Sequence, residues 1–110
     1  MEREVVAWNA KATPRYLRSR KKLSPNVRKA LNTVQAQVIQ DPHRGDRKRP
    51  PLGWLWVEKF KAENDQWLLG YEIDDKRNIV IFHAIGQHEN FYRDIQQRGG
   101  GEIEKPLEEG

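Results

Sequence analysis

The sequence predicts an α+β domain: an N-terminal helical hairpin packed on one face of a small, mainly antiparallel sheet, closed by a last helix. Three observations carry that prediction. Residues 52–93 hold three β-like segments, Trp54–Ala62, Gln66–Ile73 and Asn78–Ile85, each rich in β-branched or aromatic residues. Polar connections of hairpin length separate them, Glu63-Asn64-Asp65 and Asp74-Asp75-Lys76-Arg77. Ahead of them, Thr13-Pro14 and Ser24-Pro25 each place a good N-cap before a proline that loses no needed hydrogen bond at the first helical position. The order reads β-α-α-β-β-β-α. At 110 residues the chain supports one modest core, expected over residues 1–98, with 99–110 as a flexible acidic tail.

Taken in order, Glu2–Ala10 contains Val5, Val6, Ala7 and Trp8, enough for a short strand that joins the sheet. Pro14–Leu23 has few apolar anchors, Tyr16, Leu17 and Leu23, among Arg15, Arg18, Arg20, Lys21 and Lys22. Such a helix buries a narrow stripe and leaves a basic face in water. After Ser24-Pro25, Val27, Leu31, Val34, Val38 and Ile39 recur at intervals of three and four, the apolar face of a second helix. Asp41-Pro42 ends it, because the residue before a proline is pushed out of helical geometry. Neither helix can bury its stripe alone, so the pair must cover a sheet face.

His43–Pro51 is a basic loop by composition, carrying Arg44, Arg47, Lys48 and Arg49. In the first meander strand, alternation puts Lys59 and Lys61 on one face and Trp56, Glu58 and Phe60 on the other. Two lysines two residues apart stand about 7 Å from each other by strand rise, which suits a phosphodiester better than a core. The third strand is nearly all apolar, as a central strand covered on both sides should be. On it, His83 shares a face with Ile79, Ile81 and Ile85 under strict alternation and reads as a buried structural histidine. His43 reads as solvated, and Trp54, Trp56 and Trp67 as sheet packing. His88–Arg98 forms the last helix with Phe91 and Ile95 as its buried pair, and Gly99-Gly100-Gly101 stops it.

Composition narrows the function. The chain has no cysteine and three scattered histidines, which argues against disulfides, thiolate chemistry and a structural zinc site. No apolar run approaches the roughly 20 residues of a membrane helix and no signal-type segment follows Met1, so a cytoplasmic protein without a membrane partner is expected. The net charge of +4 conceals an asymmetry: residues 1–61 carry 15 Lys/Arg against 5 Asp/Glu, and residues 62–110 carry 5 against 11. A basic front half is an electrostatic footprint for a polyanion, with nucleic acid the first candidate.

From Val5 to Arg98 the chain resembles the RelE/ParE superfamily of bacterial toxins, and its RelE-like branch most. The resemblance rests on the basic helical hairpin ending in Asp41-Pro42 and on Pro51-Leu52-Gly53 leading into the first hairpin strand. It also rests on the Tyr71-Glu72-Ile73-Asp74-Asp75 turn, the strand ending in Ile85-Gly86, and the closing His88-Glu89-Asn90-Phe91-Tyr92-Arg93. It implies a toxin of a type II toxin–antitoxin system that cleaves messenger RNA, usually on the ribosome, without a metal or other cofactor. The 2′-hydroxyl attacks the adjacent phosphate and leaves a cyclic phosphate and a free 5′-hydroxyl. Lys59 and Lys61 fall where RelE-like toxins place paired lysines, and His88 where they carry an Arg or a His. Tyr92 falls near their C-terminal catalytic Tyr, across a shorter connection. One departure stands out: the Arg that many members carry at the start of the second hairpin strand is replaced by Trp67-Leu68.

In-line attack needs a base, an acid and cations for the phosphorane. His88 is the expected general acid or base, since an unperturbed imidazole near pKa 6.5 offers both forms around neutrality. Lys59 and Lys61 are the expected phosphate clamps, Arg93 a backup cation, and Tyr92 a proton carrier or a platform for a base. Arg44, Arg47, Lys48, Arg49, Lys21 and Lys22 are the expected RNA-binding surface. The expected partners are a cognate antitoxin protein, messenger RNA and the ribosome. The rival readings are a ParE-like toxin that inhibits DNA gyrase without nuclease chemistry, and an inactive relative that only binds RNA.

Overall fold

The two helix caps form as their residues dictate. The Thr13 hydroxyl accepts from the backbone N–H of Tyr16 at 3.2 Å, and the Ser24 hydroxyl from that of Val27 at 3.3 Å. The computed structural model describes residues 8–98 and 105–106. In it, α1 spans Pro14–Lys21 and α2 spans Pro25–Gln40. The strands are β1 (Asn9–Ala12), β2 (Asp46–Arg47), β3 (Trp56–Ala62), β4 (Asp65–Asp74), β5 (Ile79–Gln87) and β6 (Lys105–Pro106), and α3 spans His88–Arg98. Their order in the sheet is β2-β3-β4-β5-β1-β6. All neighbours run antiparallel except β1 and β5, which the α1–α2 crossover makes parallel. The α+β architecture expected from the sequence is the one observed.

The sheet is packed on both faces. Tyr16 of α1 and Leu31, Val34 and Val38 of α2 bury against Leu69, Tyr71, Val80 and Phe82. On the other face Phe91 and Ile95 of α3 close over Leu55, Val57, Leu68 and Ala84. β5 lies between β4 and β1 and is buried along most of its length, which explains its unbroken apolar run.

Several expectations are corrected. The first described strand is Asn9–Ala12; residues 2–7 of the expected Glu2–Ala10 strand lie outside the described residues. NAKA is a poor strand former, and its parallel register with Ile79–Phe82 makes it one. The basic loop contains a 3-10 turn at Pro42–Arg44 and the short β2, which pairs with Trp56 and Val57. Most of 99–110 lies outside the described residues, but Lys105 and Pro106 pair with Ala12 and Lys11 along the outer edge of β1. Nor is every base of α1 in water. Arg20, four residues after Tyr16, is buried and donates to the Asn32 side chain of α2.

The strict alternation expected of β5 also fails. A bulge at Gly70/Tyr71 pairs Gly70 with Ala84 but Tyr71 with Phe82, leaving His83 extra. Val80, Phe82 and Ile85 consequently share the helical-hairpin core, so Ile85 faces away from His83 and Ile81.

Two close approaches fix the frame. A β-carbon on Gly70 would stand 2.6 Å from Phe91 Cζ and 3.2 Å from Leu55 Cδ1, so α3 docks at this depth only over a glycine. Gly70→Ala should therefore destabilise the protein by about 1–3 kcal/mol, as overpacking does. Chemical denaturation checks it; an unchanged midpoint would mean that α3 does not sit on β4 as described.

On the opposite face the buried Tyr71 hydroxyl donates to the Pro42 carbonyl at 2.7 Å, pinning the end of α2 to the sheet. Burial, the largest cause, pushes this phenol up to about 12. Its neutral form is therefore favoured in the folded state. The stabilisation is complete below the ordinary phenol value near 10 and is lost as pH rises through about 12. Tyr71→Phe should cost about 1–2 kcal/mol at neutral pH by orphaning a buried carbonyl, and should flatten the stability profile in that alkaline window. Denaturation series at pH 7 and pH 11 measure both effects.

Candidate active site

The registers of β3 and β5 against β4 decide which side chains meet. Lys59 stands opposite Leu68, and Leu68 opposite Gly86; Lys61 stands opposite Gln66, while the adjacent Trp67 is opposite Gln87. Lys59, Lys61 and the Gly86–His88 corner therefore occupy one end of the sheet, on strands about 10 Å apart by ordinary sheet spacing. Leu68 faces the α3 side, so its direct partner Lys59, and Lys61 two residues on, share that face. Both lysines are exposed. The Gln87 side-chain amide donates to Asp65 Oδ2 at 3.2 Å, which ties the corner where α3 begins to the β3–β4 turn.

His88 is exposed at the first position of α3, and Tyr92 is half-buried one turn later. At this i,i+4 spacing their rings meet edge to face, with centroids 5.2 Å apart. A third group arrives from the basic loop. Lys48 Nζ lies 5.6 Å from the centre of the Tyr92 ring, within cation–π range. Its backbone N–H donates to the Leu55 carbonyl at 2.9 Å, holding the loop to the chain that enters β3. The α3-side face thus carries three ammonium groups, an imidazole and a phenol, with α3 itself anchored by Phe91.

The other expected residues are dispersed. Arg93 is exposed and donates to Asn90 one turn back on α3. Arg44 belongs to the opposite face, where its Nε is 3.3 Å from Glu58 Oε1; Glu58 pairs with Leu69, whose side chain is in the helical-hairpin core. Arg47 Nε donates to the Gly53 carbonyl at 2.8 Å, and Arg49 is exposed in the same loop. Lys21 and Lys22 are exposed where α1 ends. The turn after them is joined to the β3–β4 hairpin by Ser24 Oγ, which donates to Glu63 Oε1 at 2.7 Å.

Of the other two histidines, one stands as expected and one does not. His43 is exposed but partnered: its Nε2 is 3.1 Å from Asp75 Oδ1, and Trp8 and Trp56 meet its ring edge-on at 5.8 and 5.6 Å. His83 is half-buried rather than buried, with Nε2 3.0 Å from Glu72 Oε1 and its ring 4.8 Å from that of Trp54. Trp56 and Trp67 pack against the helical-hairpin core, and Trp54, half-buried, rests against the α3-side core. Sequence reasoning missed the Lys48–Tyr92 contact, because it depends on the path of an irregular loop. It missed the His83–Glu72 pair because a bulge cannot be read from alternation. Among the described residues, no three or more His, Cys, Asp or Glu side chains are grouped to hold a metal ion. No helix among them is long and apolar enough to cross a membrane.

A family model described as the ParE-like toxin of type II bacterial toxin–antitoxin systems matches residues 10–96 of this chain. The chain belongs to this family. Solved structures of RelE toxins carry the same fold as this ParE-like toxin. One is the toxin of the intact E. coli RelBE toxin–antitoxin complex, at TM-score 0.63 and 23% identity, covering 76% of this chain and 99% of that one. Another is the RelBE2 toxin–antitoxin complex of Mycobacterium tuberculosis, at TM-score 0.65 and 21% identity, covering 79% and 98%. The isolated E. coli RelE toxin matches at TM-score 0.61 and 22% identity, covering 84% and 98%. No curated protein matches. The toxin is thus a RelE/ParE superfamily member by family and RelE-like by fold.

Proposed function

We propose that this toxin is an endoribonuclease that cleaves messenger RNA by 2′-hydroxyl attack, probed best on translating ribosomes, and so arrests translation. One observation supports the reading above others: the sheet register gathers Lys59 and Lys61 at the same end of one face as His88, which is in ring contact with Tyr92. The two ammonium groups offset charge on the phosphorane oxygens, and the imidazole moves a proton to or from the reacting oxygens. Tyr92, flanked by Lys48, gives a base a ring to stack on or serves as a second proton carrier. The missing cation at Trp67-Leu68 is supplied by Lys48 in this reading. A cognate antitoxin covers the same basic face and neutralises it, as the toxin–antitoxin complexes among the structural neighbours motivate.

Expression of the toxin without a partner should stop growth and shorten messenger RNA within minutes. Intact messenger RNA in arrested cells would sink the nuclease reading. A second reading has its own support: the family model is ParE-like, and Trp67-Leu68 stands where RelE-like toxins often carry an Arg. It casts the toxin as a gyrase inhibitor without nuclease chemistry. Loss of DNA supercoiling activity with messenger RNA intact would select it.

A further inference from the structure

The α3-side face continues past Tyr92. Trp54, Leu52 and Tyr92 each pack, partly buried, against the α3-side core. Beyond them, at the bulge, His83 reaches Glu72 at 3.0 Å while its ring lies against Trp54 at 4.8 Å and 60°. Glu72 lies four residues along β4 from Leu68, the partner of Lys59, or about 13 Å by strand rise. This cluster takes no part in the chemistry described above. It joins a half-buried indole, an imidazole whose side chain is 18% exposed and a carboxylate whose side chain is 39% exposed.

We propose that Trp54, His83 and Glu72 form a guanine-recognising subsite for a nucleotide of the bound RNA next to the one undergoing cleavage; the proposal rests on the ribonuclease reading. The chemistry selects the base. Trp54 supplies a flat apolar surface, and base–aromatic stacking tolerates every base because each has a π-face. Discrimination therefore falls to the carboxylate, an acceptor at both oxygens. Its Oε1 is engaged by His83, which restrains the carboxyl group while the side chain stays 39% exposed. Among the four bases, guanine alone presents two adjacent donors, N1–H and the N2 amine, on its Watson–Crick edge. Adenine and cytosine each set one amine beside an acceptor, and uracil sets its single donor between two carbonyls. His83 is a positioning residue here: it acts on the base through Glu72. A purely structural His83–Glu72 pair would hold the β4–β5 bulge equally well but would leave base preference untouched.

Binding of short oligouridines, 2′-O-methylated to block self-attack and carrying one guanine walked through each position, tests the proposal on the full-length toxin by fluorescence anisotropy. One guanine position should bind about 10-fold or more tighter than oligouridine. Glu72→Gln should erase that gain, so that the guanine-containing strand and oligouridine bind the variant alike. Trp54→Ala should weaken all sequences by about 10-fold, and Trp54→Phe should restore most of that loss. Guanine preference that survives Glu72→Gln, or that is absent from the wild-type toxin, overturns the subsite. Cleavage of the matching unmodified RNA is followed in parallel. RNA that is cut without any preference traceable to Glu72 removes the subsite alone; RNA neither bound nor cut removes the ribonuclease reading with it.

Discussion

Alanine at both Lys59 and Lys61 should lower RNA cleavage by roughly a thousandfold or more under single-turnover conditions, the largest effect expected of any exposed pair in the toxin. One preorganised donor at a developing oxyanion is worth about 10²–10³ in rate, and both ammonium groups share the face and the end of the sheet where α3 begins. The substitutions should leave the fold alone. Both side chains are exposed on β3, and surface changes of this kind stay within about 0.5 kcal/mol. Arg44→Ala is the matched control. It also removes a cation, but from the opposite face, where its partner is Glu58. The reading fails if the Arg44 variant loses as much cleavage as the lysine pair, because general basicity rather than a located clamp would then explain activity.

The second large effect is expected at His88. His88→Ala should cost about 10²–10⁴ in the cleavage rate, the range of a positioned proton carrier, with little change in RNA affinity. The imidazole is exposed at the first position of α3, and its contact with the Tyr92 ring is the only ring contact described for it. Its removal therefore opens no core. Were His88→Ala to keep the rate, another group would have to carry the proton, with Tyr92 next to be tested. Because His88 and Tyr92 ride on α3, the Gly70→Ala change should reach the site as well: a helix pushed off by a β-carbon at Phe91 takes both rings with it.

These expectations show which parts of the molecule are written locally. The two caps and the i,i+4 stripe of α2 each specify an element through neighbours in sequence, and those elements stand where they were expected. Lys59 and Lys61 were legible as one face because a strand alternates whatever its partners do. His83 was not. Its side depends on a bulge created by pairing with Gly70 and Tyr71, and no pattern within β5 announces a mismatch with another strand. The β1 strand fails for a related reason, since four residues with little strand preference are recruited by the open edge of β5. Lys48 is a third case. The loop's basic composition marked it as one of several RNA contacts, but its position over Tyr92 follows from a backbone bond to Leu55.

The amines of β3 and the imidazole of α3 are expected to work on one phosphodiester. Incubating the purified toxin with messenger RNA and ribosomes, and identifying the new termini, tests this most directly. Fragments ending in a 2′,3′-cyclic phosphate and beginning with a 5′-hydroxyl, lost together in the lysine-pair and His88 variants, are the predicted result. Messenger RNA left whole by a toxin that still arrests cells would contradict it.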